Sequence, residues 1–171
     1  LACEWLAGDV AADGENPWCL YVSFLSPHYP LTVPEPFFSL YDPADMPDPK
    51  LDPEGGYERH PWVDVLALRQ PHANGLTPEK SRAAMAAYLG LCSFIDHQIG
   101  RVLEALEVAG LVENTRIVYT SDHGENAGAR GLWGKSVMYE ESTGIPMMIA
   151  GPDVPVERVC DTPVSLVDLY P

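Results

Sequence analysis

The feature that most limits how this chain can fold is one long run with the periodicity of an amphipathic helix. The run opens on Thr77-Pro78-Glu79, an N-cap residue followed by a proline at the first helical position and an acid near the positive helix end. Apolar residues then recur at spacings of three and four, at Met85, Leu89, Cys92, Ile95, Ile99, Leu103 and Leu106. Gly110 is a typical stop signal. We therefore predict one long helix that buries a single face.

Short apolar, β-prone runs flank this helix. Residues 18–24, 115–120 and 145–150 each predict a buried strand, and a further helix is expected to begin at Thr162. Strands alternating with helices indicate the α/β class. Because short strands that are apolar throughout suit burial on both faces, we expect a mainly parallel sheet with helices on both faces.

Between the first strand and the long helix, residues 31–76 are rich in proline, aspartate and glycine. This composition predicts a long, irregular surface excursion, and loops of that size in compact domains are often functional. The 171 residues have room for one domain, so we assign residues 1–171 to a single domain. Neither end coincides with the end of a predicted element, and we expect the sequence to be a piece of a longer protein.

Charge excludes several classes of partner. Acidic residues number 25 against 10 lysines and arginines, a formal charge of −15. Such a surface repels phosphate backbones and anionic lipids, so we expect no nucleic-acid partner and no membrane partner. An anionic substrate would need a local cation or a metal ion to hold it. The sequence does not identify a compartment or an oligomeric state.

The four cysteines, Cys3, Cys19, Cys92 and Cys160, match no zinc-binding spacing. We interpret them as small buried hydrophobic residues, Cys19 and Cys92 lying in apolar runs, and leave a disulfide between any two of them open.

Polar side chains follow two of the predicted strands. His28 lies in Pro27-His28-Tyr29-Pro30 after the first strand, and Asp122 and His123 lie in Ser121-Asp122-His123-Gly124 after the second. Ligands of open α/β sheets bind beyond the carboxyl ends of the strands. If the two strands are neighbours, all three side chains meet at one edge of the sheet.

Each of these groups has a chemical interpretation and a plainer one. A carboxylate and an imidazole together suit a divalent ion if Gly124 allows the chain to turn, although the pair could also be a strand-end cap beside a solvated histidine. Lys135, in Gly131-Leu-Trp-Gly-Lys135, offers a compact charge for a tetrahedral oxyanion, or is simply exposed. His28 between prolines suits a proton donor, or is a loop histidine stacked on Tyr29.

The remaining histidines, His60, His72 and His97, are interpreted as structural or exposed, and Trp133 as a packing residue of its loop.

Taken together, these motifs resemble the sulfatase family of the alkaline-phosphatase superfamily. The resemblance rests on YVSFLSPHYPLTVPEPFFSLYDPADMP, on IDHQIGRVLEALEVAGLVENTRIVYTSDHGENAGARGLWGKSVMYEESTGIPMMIAGPDVP and on TPVSLVDLYP. The Asp-His pair and its spacing to Lys135 resemble the branch of choline sulfatases and phosphonate monoester hydrolases. The resemblance implies part of an alkaline-phosphatase-like α/β sandwich, namely the middle-to-C-terminal portion of a sulfatase catalytic domain.

The resemblance also implies roles. Asp122 and His123 would bind a divalent metal ion, Ca²⁺ or Mn²⁺, and Lys135 would contact a sulfate oxygen. His28 would contact the ester oxygen and help to protonate the leaving group of a small-molecule sulfate ester. The nucleophile of the family is a formylglycine hydrate, which attacks sulfur to form a covalent sulfo-enzyme.

The main departure of the sequence from the family is the absence of two motifs. No cysteine or serine begins the Cys/Ser-x-Pro-x-Arg motif from which formylglycine is made, and the Asp-Asp pair that completes the metal site is also absent. We expect these elements in a preceding N-terminal part, and we expect the chain alone to carry half a site and to be inactive. A phosphate or phosphonate ester hydrolase and a non-catalytic binding module remain alternatives.

Overall fold

The computed structural model describes residues 1–10, 16–51, 58–69 and 76–169. The α-helices are α1 (Ala2–Trp5), α2 (Pro61–Arg69), α3 (Pro78–Val108) and α4 (Glu140–Thr143), and the strands are β1 (Ile117–Thr120) and β2 (Met147–Ala150). A π-helical turn, Leu6–Val10, follows α1, and 3₁₀ turns occupy Phe37–Leu40, Pro43–Asp45, Val112–Asn114, Ala129–Gly131 and Leu166–Leu169.

The long helix predicted from periodicity is confirmed as α3, which has 31 residues. Its start follows the predicted signal, because the Thr77 hydroxyl accepts a hydrogen bond from the Lys80 N–H at 3.4 Å. Gly110, just past the helix, has φ of +70°, the left-handed conformation of a typical helix stop. Leu91 and Ile95 lie on the buried face, and the helix packs against the 3₁₀ turns at 37–40 and 43–45 and against α1.

The sheet differs from the expected one. In the described part of the chain it has two strands, and β1 and β2 pair antiparallel with Ile117 opposite Ala150 and Thr120 opposite Met147. The expectation of a mainly parallel sheet is wrong for this pair. The physical reason is the connection: it leaves and re-enters the sheet at the same end, whereas parallel neighbours require a crossover along the whole sheet. The residues that follow β1 therefore stay at one end of the strands.

The predicted strand at residues 18–24 is not formed. A strand needs a hydrogen-bonded neighbour, and within the described ranges these residues pair with none. The segment lines one side of a groove of about 640 Å³, with β1 and the apolar face of α3 on the other sides. Tyr21 is 88% exposed, so the apolar run that predicted a buried strand is open to solvent here.

The excursion at residues 31–76 is less irregular than expected, because it contains α2 and two of the 3₁₀ turns. α2 begins at Pro61, where the His60 imidazole accepts a hydrogen bond from the Trp62 N–H at 3.1 Å. The helix expected to begin at Thr162 is not an α-helix in the described residues up to Leu169, where residues 166–169 form a 3₁₀ turn. Nothing in the described ranges is long and apolar enough to be a membrane-spanning helix.

Candidate active site at the end of the strands

His28 is held by its immediate neighbours. Its backbone N–H donates to the Leu25 carbonyl at 3.1 Å, and its ring stacks on Tyr29 with centroids 4.4 Å apart. The Nδ1 atom lies 2.8 Å from the Tyr29 carbonyl oxygen. Because a carbonyl oxygen can only accept, Nδ1 carries the hydrogen and Nε2 is the nitrogen left for other partners. The stacking that we considered as an alternative to a proton-donor role is thus present and leaves Nε2 available.

Asp122 and His123 lie in the turn that ends β1. The Ser121 hydroxyl donates to the His123 carbonyl at 2.8 Å, which fixes the turn just beyond the strand. The His123 Nδ1 donates to the Gly124 carbonyl at 2.9 Å, so the lone pair is again on Nε2. That Nε2 lies 3.6 Å from a carboxylate oxygen of Asp122, whose side chain is 83% exposed. The pair presents one oxygen and one nitrogen ligand on the same side of the turn.

Gly124 is required here for a different reason from the one expected. It is not in the left-handed region; instead, its N–H donates to the Ser142 carbonyl at 2.8 Å, in close contact with the residues of α4. A Cβ built on Gly124 would lie 2.2 Å from the backbone oxygen of Glu141. Only glycine therefore allows the turn to lie against α4.

Lys135 lies near the middle of the segment that connects β1 to β2, and its side chain also reaches this cluster. Its ammonium hydrogen-bonds to the His28 Nε2, although 107 residues separate the two in sequence. The rings of His28 and His123 lie edge to face with centroids 6.0 Å apart. The structure thus brings His28, His123 and Lys135 together with Asp122 beside them, while the chemical roles assigned to them remain predictions. The other histidines lie elsewhere: His97 contacts Phe37, His60 caps α2, and His72 lies outside the described residues.

An ion pair connects the loop that carries Lys135 to α4. Arg130 donates to the Glu141 carboxylate at 2.7 Å and stacks over the Tyr139 ring at 4.3 Å. Burial by itself would raise the pKa of Glu141, but a backbone hydrogen bond and the Arg130 guanidinium outweigh it and lower that pKa. The carboxylate form of Glu141 is therefore the one that holds Arg130.

Asp122 and His123 could supply two ligands of a metal ion. Among the described residues no group of three or more histidine, cysteine, aspartate or glutamate side chains is arranged to hold one. Since most ions need at least four ligands, the pair fits one side of such a site and needs oxygen atoms from elsewhere to complete it.

The cysteines take no part in this cluster. All four are free thiols, so no disulfide forms, and Cys19 and Cys160 are exposed rather than buried. Burial raises the pKa of the half-buried Cys92 thiol, the effect expected for an inert packing residue.

Sequence reasoning missed three polar residues that shape the site. Glu125, Asn126 and Ser142 hydrogen-bond to the backbone of Gly134 and Lys135. Asn126 and Ser142 are each 3% exposed. Their partners are backbone groups seven to nine residues away in the segment that connects β1 to β2, and no spacing or composition pattern indicates such contacts.

Comparison with known proteins gives a consistent picture. The sequence profile of the Sulfatase family matches residues 2–171. A sulfatase of Formosa agariphila is 30% identical over 99% of this chain and 34% of its own length. The choline-sulfatase of Rhizobium meliloti is 32% identical over 93% of this chain and 31% of its own length.

Among solved structures, a phosphonate monoester hydrolase from Silicibacter pomeroyi superposes with a TM-score of 0.73 at 32% identity. The superposition covers 89% of this chain and 32% of that one. The chain spans about a third of the length of each of these relatives.

Proposed function

Because the chain belongs to the sulfatase family, we propose that it supplies one side of the active site of a sulfuric ester hydrolase acting on a small-molecule sulfate ester. The observation that carries the proposal is the contact between Lys135 and the His28 Nε2, beside the Asp122–His123 pair. A lysine donor, a histidine whose Nε2 can take up a proton, and a metal-ligand pair within one cluster suit a tetrahedral ester, which has an anionic head to be bound and an ester oxygen to be protonated.

The chemistry of this chain's own residues follows from their geometry. A sulfate group that enters beside Lys135 takes the ammonium as a donor in place of the His28 Nε2. His28 is then free to carry a proton on Nε2, with Nδ1–H still held by the Tyr29 carbonyl. As a nucleophile bonds to sulfur and the bond between sulfur and the ester oxygen breaks, that proton passes to the departing oxygen, so that a neutral alcohol leaves. Tyr29 and Leu25 keep the imidazole oriented throughout.

Asp122 and His123 would hold a divalent ion, Ca²⁺ or Mn²⁺, together with oxygen ligands from outside this chain. Such an ion, when bound, supplies positive charge that stabilises a developing oxyanion. We propose that the nucleophile is a formylglycine in the part of the complete protein that these 171 residues do not contain, so the chain alone is inactive. We also propose that the complete protein extends β1 and β2 into a mainly parallel, alkaline-phosphatase-like sheet with helices on both faces.

A phosphate or phosphonate ester is a second candidate substrate, favoured by the similarity to a phosphonate monoester hydrolase. The groups present here serve either tetrahedral anion. The complete protein that contains this chain should therefore be assayed in parallel with 4-nitrophenyl sulfate and 4-nitrophenyl phenylphosphonate. A higher kcat/KM with the sulfate supports the sulfatase assignment, a higher value with the phosphonate supports the second candidate, and no hydrolysis of either would contradict both.

A further inference from the structure

The residue before Lys135 has both of its backbone polar groups bound by two adjacent side chains. The Gly134 N–H donates to the Glu125 carboxylate at 2.5 Å, and the same carboxylate oxygen accepts from the Ala127 N–H at 3.2 Å. The Gly134 carbonyl accepts from the Asn126 N–H at 2.9 Å and also from the Asn126 side-chain amide. Residues 125 and 126 thus fix the Gly134 peptide groups on both sides.

These hydrogen bonds act on a backbone that would otherwise have a wide choice of conformations. Gly134 has φ of +83°, a conformation that glycine adopts easily. Because glycine can also adopt many others, hydrogen bonds from other residues are needed to hold it there. On the far side of Lys135, its own carbonyl accepts from the buried Ser142 hydroxyl. The Lys135 backbone is therefore held from both directions, and the start of its side chain is fixed in space.

Burying the Asn126 side chain costs free energy, and the hydrogen bond that its amide group donates gives a reason for its presence. It is 3% exposed, and its amide oxygen has no hydrogen-bond partner among the described residues. An unpaired buried acceptor is unfavourable, so an apolar residue of similar size would suit this position better if packing were its only purpose. What the amide offers instead is a second donor to the Gly134 carbonyl.

We propose that Glu125 and Asn126 are positioning residues, which act through Gly134 to hold the Lys135 ammonium against His28. A lysine side chain has four rotatable bonds, so an unfixed backbone would spread the ammonium over many positions. Glu125 and Asn126 follow Asp122 and His123 with Gly124 between the two pairs, so one short segment sets the metal pair and the lysine relative to each other. The catalytic meaning of this arrangement rests on the proposed function, whereas the positioning itself does not.

The positioning can be tested in the complete protein by NMR, with no need for an activity assay. The measurement is the nuclear Overhauser effect between the Lys135 Hε protons and the His28 ring Hε1. We expect this effect in the parent protein and in Glu125→Gln, which keeps an accepting oxygen. It should be lost in Glu125→Ala, which lacks the acceptor, and in Asn126→Asp, which lacks the amide donor. Glu104→Ala, at an exposed position on α3, is the matched control and should leave it unchanged. An undiminished effect in Glu125→Ala and Asn126→Asp would overturn the proposal.

The catalytic consequence is tested by a double-mutant cycle in the complete protein. Glu125→Ala and Lys135→Ala should each lower kcat/KM for 4-nitrophenyl sulfate, and the double variant should be no slower than Lys135→Ala alone, because both act through one ammonium. Additive losses would contradict a role exerted through Lys135. If Glu125→Ala fails to fold, Asn126→Asp takes its place in the cycle. If the parent hydrolyses no sulfate ester, the proposed function fails, while the NMR result still decides the positioning.

Discussion

The Lys135 ammonium and the His28 Nε2 are hydrogen-bonded partners drawn from segments 107 residues apart. Neither residue lies in a helix or a strand; each lies in an irregular segment beside β1. Their contact is therefore a product of the tertiary fold, and the predictions for the site depend on it.

Replacing Lys135 should impair turnover without unfolding the protein. In the complete protein we expect Lys135→Ala to lower kcat/KM for a sulfate ester by roughly 10²–10³-fold, the usual effect of removing one donor to a developing oxyanion. Steady-state kinetics measure the loss, and circular dichroism checks the fold. Lys80→Ala, at an exposed position on α3, is the control with the same change of charge. Turnover of Lys135→Ala close to that of Lys80→Ala would refute the assignment.

Replacing His28 should affect substrates according to their leaving group. A proton donor matters most when the departing alcohol is a poor leaving group, so His28→Ala should slow alkyl sulfates by about 10²–10⁴-fold and 4-nitrophenyl sulfate much less. The measurement is the slope of log kcat/KM against leaving-group pKa, which should become steeper in the variant. His97→Ala, on α3, should leave the slope unchanged. Equal losses for all leaving groups would remove His28 from the acid role.

Replacing Asp122 should weaken metal binding by the complete protein. The carboxylate offers the only oxygen ligand of the pair, so we expect Asp122→Ala to raise the dissociation constant for Mn²⁺ at least about tenfold, as loss of metal-site groups commonly does. Titration calorimetry of the metal-free protein measures this directly. Asp96→Ala, an exposed aspartate on α3, should bind Mn²⁺ as the parent does. An unchanged dissociation constant in Asp122→Ala would exclude this residue as a ligand.

Two glycines of α3 should respond in opposite ways to the same substitution. A Cβ on Gly90 would lie 2.7 Å from the Phe37 carbonyl oxygen, whereas a Cβ on Gly100 would meet nothing within 4 Å. We expect Gly90→Ala to destabilise the fold by about 1–3 kcal/mol through overpacking. Gly100→Ala should stabilise it by up to about 1 kcal/mol, the helix-propensity difference between the two residues. Urea unfolding of both variants measures these changes, and equal effects at the two sites would show that the Phe37 contact is not formed.

The Arg130–Glu141 pair should make stability depend on pH in the acid range. The pKa of Glu141 is lowered from 4.5 in the folded state, so its contribution is fully present above that value and is lost as pH falls through the lowered pKa. We expect Glu141→Gln to unfold at lower urea concentration than the parent at pH 7, and the two to converge near the acid limit. Glu113→Gln, an exposed carboxyl in the turn after α3, is the control. A stability difference that does not change with pH would argue against the ion pair.

The sequence predicted the helices and strands whose formation depends on local signals. Periodicity and the Thr77 cap predicted α3, and the apolar run before Ser121 predicted β1, because both patterns reflect nearby residues. Residues 18–24 failed as a strand because pairing depends on a neighbour that a single segment does not specify. α2 was missed because its start uses the His60 ring as an acceptor, which is not a common capping pattern.

The residues of the candidate site also differ in whether the sequence could predict them. His28, Asp122, His123 and Lys135 could be named from residue type, position after an apolar run and family resemblance. Glu125 and Asn126 could not, because their importance lies in hydrogen bonds to the Gly134 backbone that exist only once the loop has closed. Residues with reactive side chains can be proposed as site residues from a sequence, whereas residues whose role is to hydrogen-bond to the backbone cannot.

Gly124 bears on how natural variation in this protein should be interpreted. It has no side chain and no chemical role, yet the Glu141 backbone oxygen occupies the space that any other residue would need. A missense allele at this codon would therefore look, in a genetic screen, like the loss of a catalytic group, although its effect would come from a steric clash with the backbone.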